Sequence, residues 1–358
     1  MAEVEHLAFA NPSSPHWAGR DARILLEGSR EKLAQALGTK PQEIFFTSGG
    51  SESNNAVLRQ LLTTSAEKHL ISSTIEHPSV LETCRILAEQ KNIQFTELTV
   101  DSNGTIDAEN LNEAIRQETA LISLISANNE TGKLQSIEEL TKIAKQYQIP
   151  FHTDLTQAFG KIQLDLSKSR IDYATATAHK LGGPRGIGLL YVREGTPFQP
   201  LITGGKQERA RRAGTETVKL AVGFANAVEW YLNNQYKLRE QFLIFRKSVL
   251  DEIAKLDGIF INTDIKNSLP HTLNFGCDGI SAESLLISLD MDGIAVSTGS
   301  ACSSGAMEAS HVLLAMGLSH ADAKSSIRVS WGWSTTQAEI DHFCARLSHH
   351  IVRLKAKL

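Results

Sequence analysis

The chain has 358 residues, 41% hydrophobic and 21% charged, an ordinary globular composition with core enough for two domains or one large α/β domain with an appendage. A formal net charge of −4, from 36 basic and 40 acidic residues, excludes the basic excess expected of a dedicated nucleic-acid binder. No apolar run approaches the roughly 20 residues of a membrane span, and the acidic start Met1-Ala2-Glu3-Val4-Glu5 has no basic n-region of a secretory signal.

Residues 1–20 carry the loop chemistry of Phe9-Ala10-Asn11-Pro12-Ser13-Ser14-Pro15-His16, and a helical pattern follows from about Gly19 to Leu37, stopped by Gly38. Glu43 to Phe46 reads as a strand. The turn Thr47-Ser48-Gly49-Gly50-Ser51 then opens a helix to about Leu62. Small residues at a helix N-terminus suit an anion, because backbone N–H groups and the helix dipole face the ligand; the plain alternative is a serine-capped connection. The next strand, His69 to Ser73, leads to Glu76-His77-Pro78, with His77 at a strand's C-terminal end, where open α/β sheets bind ligands. Strands follow at Ile93–Val100 and Ala120–Ser126, helices near Glu109–Arg116 and Ile137–Tyr147, and the polar turn Asn128-Asn129-Glu130-Thr131-Gly132 lies between strand and helix.

Pro150-Phe151-His152-Thr153-Asp154 is a short strand ending on a carboxylate, with Gln157 three residues on. Asp172–Ala176 is the strand leading to Thr177, His179 and Lys180, followed at once by Gly182 and Gly183. An acid and an amine, each ending its own strand, form the pair that pyridoxal phosphate chemistry needs: the amine makes a Schiff base and the acid keeps the pyridine nitrogen protonated. The β-α alternation predicts a mostly parallel sheet covered on both faces.

Gly186–Arg193 reads as a further strand. The basic loop Thr203 to Thr215 is either solvated or an anion site shared with a second subunit. Two helices, about Val218–Leu232 and Leu238–Lys255, meet near residue 236, where a smaller α+β domain begins with short strands at Ile259–Asn262, Thr272–Gly276 and Gly293–Ser297. Within it, Ser300-Ala301-Cys302-Ser303-Ser304-Gly305 surrounds a thiol with small polar residues, which is poor core material and suits a nucleophile on an arm. Cys84 and Cys344 sit in helical patterns and read as small buried hydrophobes; with Cys277 they show neither CxxC pairing nor metal-ligand spacing, which suits reduced thiols in a cytoplasmic protein. Ser326-Ile327-Arg328-Val329-Ser330 alternates as a strand whose arginine suits a carboxylate or plain solvent. The final helix spans roughly Thr336–Lys357.

In this order, Thr47–Asn55, Glu76-His77, Asn128-Asn129-Glu130, His152–Gln157, His179-Lys180, Arg212–Thr215, Ser300–Ser304 and Ser326–Arg328 resemble the cysteine desulfurases of the class V aminotransferase group of fold-type I pyridoxal phosphate enzymes, and the cysteine segment resembles the NifS/IscS subgroup. The resemblance implies a large domain over 1–235, with a mostly parallel seven-stranded sheet, and a small C-terminal α+β domain over 236–358. It implies that Lys180 forms the Schiff base, Asp154 pairs with the pyridine nitrogen, and His77 stacks on the ring and handles protons. Gln157 and Asn129 would serve the ring hydroxyl and substrate, while Gly50, Ser51, Thr177 and His179 hold the phosphate with the partner subunit's Thr215. Arg328 would take the carboxylate of L-cysteine, and Cys302 would accept its sulfur as a persulfide, leaving alanine.

The same resemblance implies a homodimer without bound metal, Cys302 serving at most as a transient iron–sulfur ligand. Sulfur would pass to an acceptor protein such as an iron–sulfur scaffold or a tRNA-thiolation relay, with no direct nucleic-acid or membrane contact. Selenocysteine lyase, another class V enzyme, or a weakly active scaffold protein are the alternatives. In front of Asn11 the chain lacks the family's strand with its Asp-x-Ala-Thr-Thr-Pro segment and the following helix, roughly 30 residues. That segment normally lines the substrate site.

Overall fold

The computed structural model describes residues 2–63, 66–299 and 308–356. Two compact units emerge: Met1–Leu98 with Ala108–Ser126 and Ser136–Gln235, and Thr99–Asp107 with Ala127–Gln135 and Tyr236–Leu358.

The first unit is a seven-stranded sheet made of β1 (Ile44–Thr47), β2 (Lys68–Ser73), β3 (Ile93–Leu98), β4 (Thr119–Ser123), β5 (Phe151–Asp154), β6 (Tyr173–Thr177) and β7 (Gly188–Val192), in the order β1-β7-β6-β5-β4-β2-β3. Strands β3, β2, β4, β5 and β6 run parallel, and β7 is antiparallel to both β6 and β1. Strands β1, β5, β6 and β7 are buried along their whole length, as expected of a sheet covered on both faces. One face packs Val57, Leu61, Leu70, Val80, Leu87, Leu121 and Leu190 together, each contributing about 1.5–3 kcal/mol.

Two fully buried histidines act as neutral rungs between strands. His69 on β2 joins Thr119 at 2.9 Å and Thr96 at 2.8 Å, and His152 on β5 joins Ser123 at 2.7 Å and Thr175 at 3.2 Å. Gly188 has no room for a side chain: a Cβ there would lie 2.6 Å from the carbonyl carbon of Gly49, so the turn after β1 rests on the start of β7.

The second unit contains a three-stranded antiparallel sheet, β8 (Ile259–Ile261), β9 (Thr272–Cys277) and β10 (Ser326–Ser330), in the order β10-β9-β8. Residues 99–107 and 127–135, which the sequence places in the large domain, belong to this unit because long-range pairing ties them there. Lys133 bridges Ser268, its ammonium meets Asp264 at 2.7 Å, and the Leu134 N–H donates to Asn267 at 2.9 Å.

Two predicted elements change. The expected pair of helices around residue 236 is one continuous helix, Val218–Ile253. The helix runs through the expected join with its polar groups satisfied: Asn234 donates to the Trp230 carbonyl at 2.8 Å and Gln235 to the Gly160 carbonyl at 3.0 Å. The expected strand Gly293–Ser297 reduces to a single bridge between Ser297 and Arg328, since Gly293 turns the chain at φ 77° just after the helix Ala282–Asp290. The chain also opens with an unforeseen short helix, Ala2–Leu7.

Candidate active site

Strand β5 ends on Asp154, and its parallel neighbour β6 runs out at Thr177 into the 3₁₀ turn Ala178–Leu181, which carries His179 and Lys180. The acid and the amine therefore stand at the C-terminal ends of adjacent parallel strands, the usual ligand edge of such a sheet. Asp154 is buried, and each of its oxygens is engaged: Oδ1 accepts the Thr156 N–H at 2.8 Å and Oδ2 accepts from Asn54 Nδ2 at 2.9 Å.

Asn54 extends this into a relay with a forced direction. Its amide nitrogen also donates to Ser79 Oγ at 2.9 Å, and since that group can only donate, the Ser79 hydroxyl gives its own hydrogen to His77 Nδ1 at 2.8 Å. The Ser79 backbone N–H points at the same nitrogen at 3.1 Å. Nδ1 of His77 is thus an acceptor, and the ring proton sits on Nε2. His77 occupies the N-cap of the helix Pro78–Ala88, with Pro78 in the first turn as the sequence suggests. Asn54 and Ser79 were missed by sequence reasoning; only the Asn at the foot of a Gly/Ser turn hinted at the first.

Beneath this relay lies Glu76, fully buried, its Oε1 accepting from the Ser73 hydroxyl at 2.5 Å and from the Ile125 N–H at 2.9 Å. Burial above all, with the negative charge of Asp154 adding to it, pushes its carboxyl up to about 8, so at neutral pH the group is a carboxylic acid.

Around Lys180 the charges are positive. Burial, then Lys180, Arg185, Lys161 and His77, hold the His179 imidazole below its ordinary value, and His179 Nδ1 lies 2.9 Å from Thr177 Oγ1. Lys161 donates to Gln157 Oε1 at 3.3 Å; burial and the charge of Lys180 pull Lys161 down to about 7. Such a cluster favours an anion.

The turn after β1 is tied down from the far side of the chain. Glu52 accepts the Ser48 N–H at 2.8 Å and grips Arg212 through Nε at 2.9 Å and Nη2 at 3.1 Å. Thr215 lines a small cavity with Ser48, Gly186 and Arg212. The basic loop is not simply solvated. Arg211 lies over the rings of Phe45 and Phe198 at 5.4 and 5.6 Å, and Arg209 donates to the Pro41 carbonyl at 3.0 Å. Glu208, Arg209 and Ala210 hold left-handed φ values of 46°, 56° and 61°, each costing about 1–2 kcal/mol. A buried pair offsets that strain: Arg30 meets Glu208 through Nη1 at 2.7 Å and Nη2 at 2.8 Å, and Glu208 also accepts the Phe46 N–H at 2.8 Å.

In the second unit, Arg328 sits mid-strand on β10 and donates through Nη1 to the Asn129 carbonyl at 2.9 Å. Its Nε and Asn129 Oδ1 are buried without a hydrogen-bond partner among the described residues. Cys302 lies outside the described residues. Cys84, Cys277 and Cys344 are buried, and burial pushes Cys84 well up and Cys344 up to about 11, which keeps both thiols protonated and inert. Among the described residues no cluster suits a metal ion, and no helix is long and apolar enough to cross a membrane.

The residues of the first unit fit a phosphorylated pyridine aldehyde. An acid faces the ligand edge, an amine stands on the adjacent strand end, and a small-residue turn leaves space: nothing lies within 4 Å of a Cβ built on Gly49. Thr156 Oγ1, 3.5 Å from a Cβ built on Gly50, is buried without a partner among the described residues, as a group awaiting a ligand would be.

The family comparison agrees with this geometry. The class-V aminotransferase family matches residues 2–343, and the chain belongs to it. Its relatives narrow the class further. "Cysteine desulfurase IscS" of Dictyoglomus turgidum is 42% identical over 97% of this chain and 89% of that protein, and "Putative cysteine desulfurase IscS 1" of Bacillus subtilis is 39% identical over 97% and 92%. Among solved structures, a "NifS-like protein" superposes with a TM-score of 0.92 at 35% identity, covering 98% of this chain and 94% of that one. "SspA in complex with cysteine" gives 0.79 at 36%, covering 90% and 91%.

Proposed function

We propose that the chain is a pyridoxal-phosphate-dependent cysteine desulfurase. The observation that carries this reading is the pairing of Asp154 and Lys180 on the ends of adjacent parallel strands, with His77 linked to Asp154 through Asn54 and Ser79.

Pyridoxal phosphate, when bound there, supplies an electron sink that weakens the bonds at the substrate α-carbon and, one carbon further on, the C–S bond. Asp154 would keep the proton on the ring nitrogen. Lys180 would supply the amine that holds the cofactor and would afterwards move the α-proton. His77, with its hydrogen on Nε2, would stack on the ring and handle protons there. Gly50 and Ser51, at the N-terminus of the helix Gly50–Leu58, and Thr177 and His179 would hold the phosphate, and Thr215 would serve the partner subunit's site in a homodimer. Gln157, whose Oε1 is taken by Lys161, would offer its NH₂ to the ring hydroxyl.

Arg328 and Asn129, in the second unit, would fix the L-cysteine carboxylate and the substrate. The thiolate of Cys302 attacks the substrate sulfur; the C–S bond breaks with its electron pair left on carbon, which takes a proton. Cysteine and the enzyme thiol become alanine and an enzyme persulfide, which an acceptor protein then receives for iron–sulfur cluster assembly or tRNA thiolation.

Mass spectrometry after incubation with L-cysteine tests the assignment. The Cys302 peptide is expected to gain one sulfur, and Cys302→Ser is expected to make neither persulfide nor alanine. Sulfur carried by Cys84, Cys277 or Cys344 instead would overturn the nucleophile, and alanine at the normal rate from Cys302→Ser would do the same.

A further inference from the structure

Glu130 has no role in the reaction as proposed, yet its surroundings are specific. It is 2% exposed, and the Ser310 hydroxyl donates to its Oε2 at 2.5 Å. Ser310 is itself buried and caps the helix His311–Ala315 by accepting the Leu313 N–H at 3.2 Å. Gly299 reaches the same point from the other side: a Cβ built there would overlap Glu130 Oε2 and lie 2.5 Å from Ser310 Cβ. One carboxyl therefore stands where Gly299 and Ser310 converge, and the segment carrying Cys302 departs from the first and returns to the second.

The backbone around Glu130 is equally fixed. Its N–H donates to Asn128 Oδ1 at 2.8 Å, and its neighbour Asn129 accepts from Arg328 at 2.9 Å. Two residues before Gly299, Ser297 is paired with Arg328 through a 3.0 Å N–H···O bond. Arg328 and Ser310 are thus bonded to consecutive residues, 129 and 130, and Gly299 packs against the second. Burial raises the Glu130 carboxyl above its ordinary value, against the Ser310 hydrogen bond and the charges of His311 and Arg328.

We propose that Glu130 is a positioning residue for sulfur transfer: by accepting from Ser310 while Gly299 packs against its carboxyl, it fixes the described residues on either side of the segment that carries Cys302, in register with Arg328. The inference rests on Cys302 as the sulfur acceptor and on Arg328 as the substrate anchor. A nucleophile displaced by about 1 Å loses on the order of 10²-fold in rate.

The test compares Glu130→Ala, Glu130→Gln and Ser310→Ala with wild type in the cofactor-loaded enzyme. Expected are an unchanged L-cysteine dependence of the cofactor's absorbance change and a fall in the kcat for alanine of on the order of tenfold to a hundredfold in Glu130→Ala and Ser310→Ala. Glu130→Gln, which still accepts from Ser310, is expected to stay within a few-fold of wild type. Hydrogen exchange of the amides of residues 296–299 and 310–313 should accelerate in both alanine variants and not in the glutamine variant.

Wild-type kcat in Glu130→Ala and Ser310→Ala overturns the proposal, and so does an equal loss of substrate response and turnover, which would mark a general structural role. Cys302→Ser, run alongside, separates the two readings. If it is inactive while Glu130→Ala is normal, only the positioning role fails; if it is active, the nucleophile assignment fails first.

Discussion

The ligand edge of the first unit and the arginine strand of the second hold their functional groups in different ways. In the first, Asp154, Lys180 and His77 each follow directly from a strand end, and the groups that fix them lie on the neighbouring turns. In the second, Arg328 sits mid-strand, and what fixes it arrives from residues 129 and 297, the former some 200 positions away in the chain. Strand ends place chemistry through local geometry. A strand interior needs a distant segment to aim it. The first arrangement should therefore be sensitive to loss of the reacting groups themselves, and the second to loss of aim.

The largest effect expected on the first side is Lys180→Ala, which should abolish covalent attachment of the cofactor and lower alanine formation by on the order of 10⁴-fold or more, read by absorbance and amino-acid analysis. Next is Glu208→Ala, which removes the buried partner of Arg30 beside a left-handed turn and leaves the guanidinium only the part-exposed Glu27 and the Ile44 carbonyl. It should destabilise the protein by about 3–5 kcal/mol in denaturant titration, and a value near zero would mean that the pair does not hold the loop. On the second side, Arg328→Gln should raise the KM for L-cysteine by on the order of 10²-fold with a smaller change in kcat. If kcat fell instead and KM held, the contrast between reacting and aiming residues would collapse.

The smallest effect is on pH dependence. Burial, with Arg116 adding, pulls His69 down to about 4, and burial pulls His152 to about 4 against the charge of Asp154. A histidine whose folded value lies below its unfolded value of about 6.5 gives stability that is full above that pH and lost as the pH falls toward 4. The stability advantage of wild type over His69→Gln should shrink by up to about 1.4 kcal/mol per pH unit across that window. Parallel curves would show that His69 is not kept neutral.

Much of the first unit was legible in the sequence. The β-α alternation, the acid ending β5, the lysine beyond β6 and the Gly/Ser turn are local patterns, and local patterns survive folding. The Asn54–Ser79 relay was not legible, because Asn54 donates both to a hydroxyl 25 positions away and to a carboxylate 100 positions away. Segments 99–107 and 127–135 read as parts of the large domain because their neighbours in sequence are its strands; bonds from Lys133 and Leu134 to residues 264–268 tie the second to the small sheet, and Gln135 ties the first to the second through Gly104 and Ile106. The join expected near residue 236 is absent for a similar reason, since the polar side chains between the two apolar patterns find carbonyl acceptors, one of them 75 positions away. Glu130 stood in a recognised motif, but nothing in the sequence indicates that Gly299 and Ser310 meet at its carboxyl.

The central claim is tested most directly by the visible absorbance of the purified protein before and after addition of L-cysteine, with alanine and sulfide measured on the same sample. The proposed desulfurase should show a cofactor band that is absent in Lys180→Ala, that shifts within the first turnover on adding L-cysteine, and that is accompanied by alanine equal to the sulfur released. A protein reconstituted with pyridoxal phosphate that shows the band but neither shift nor alanine with L-cysteine would contradict the account.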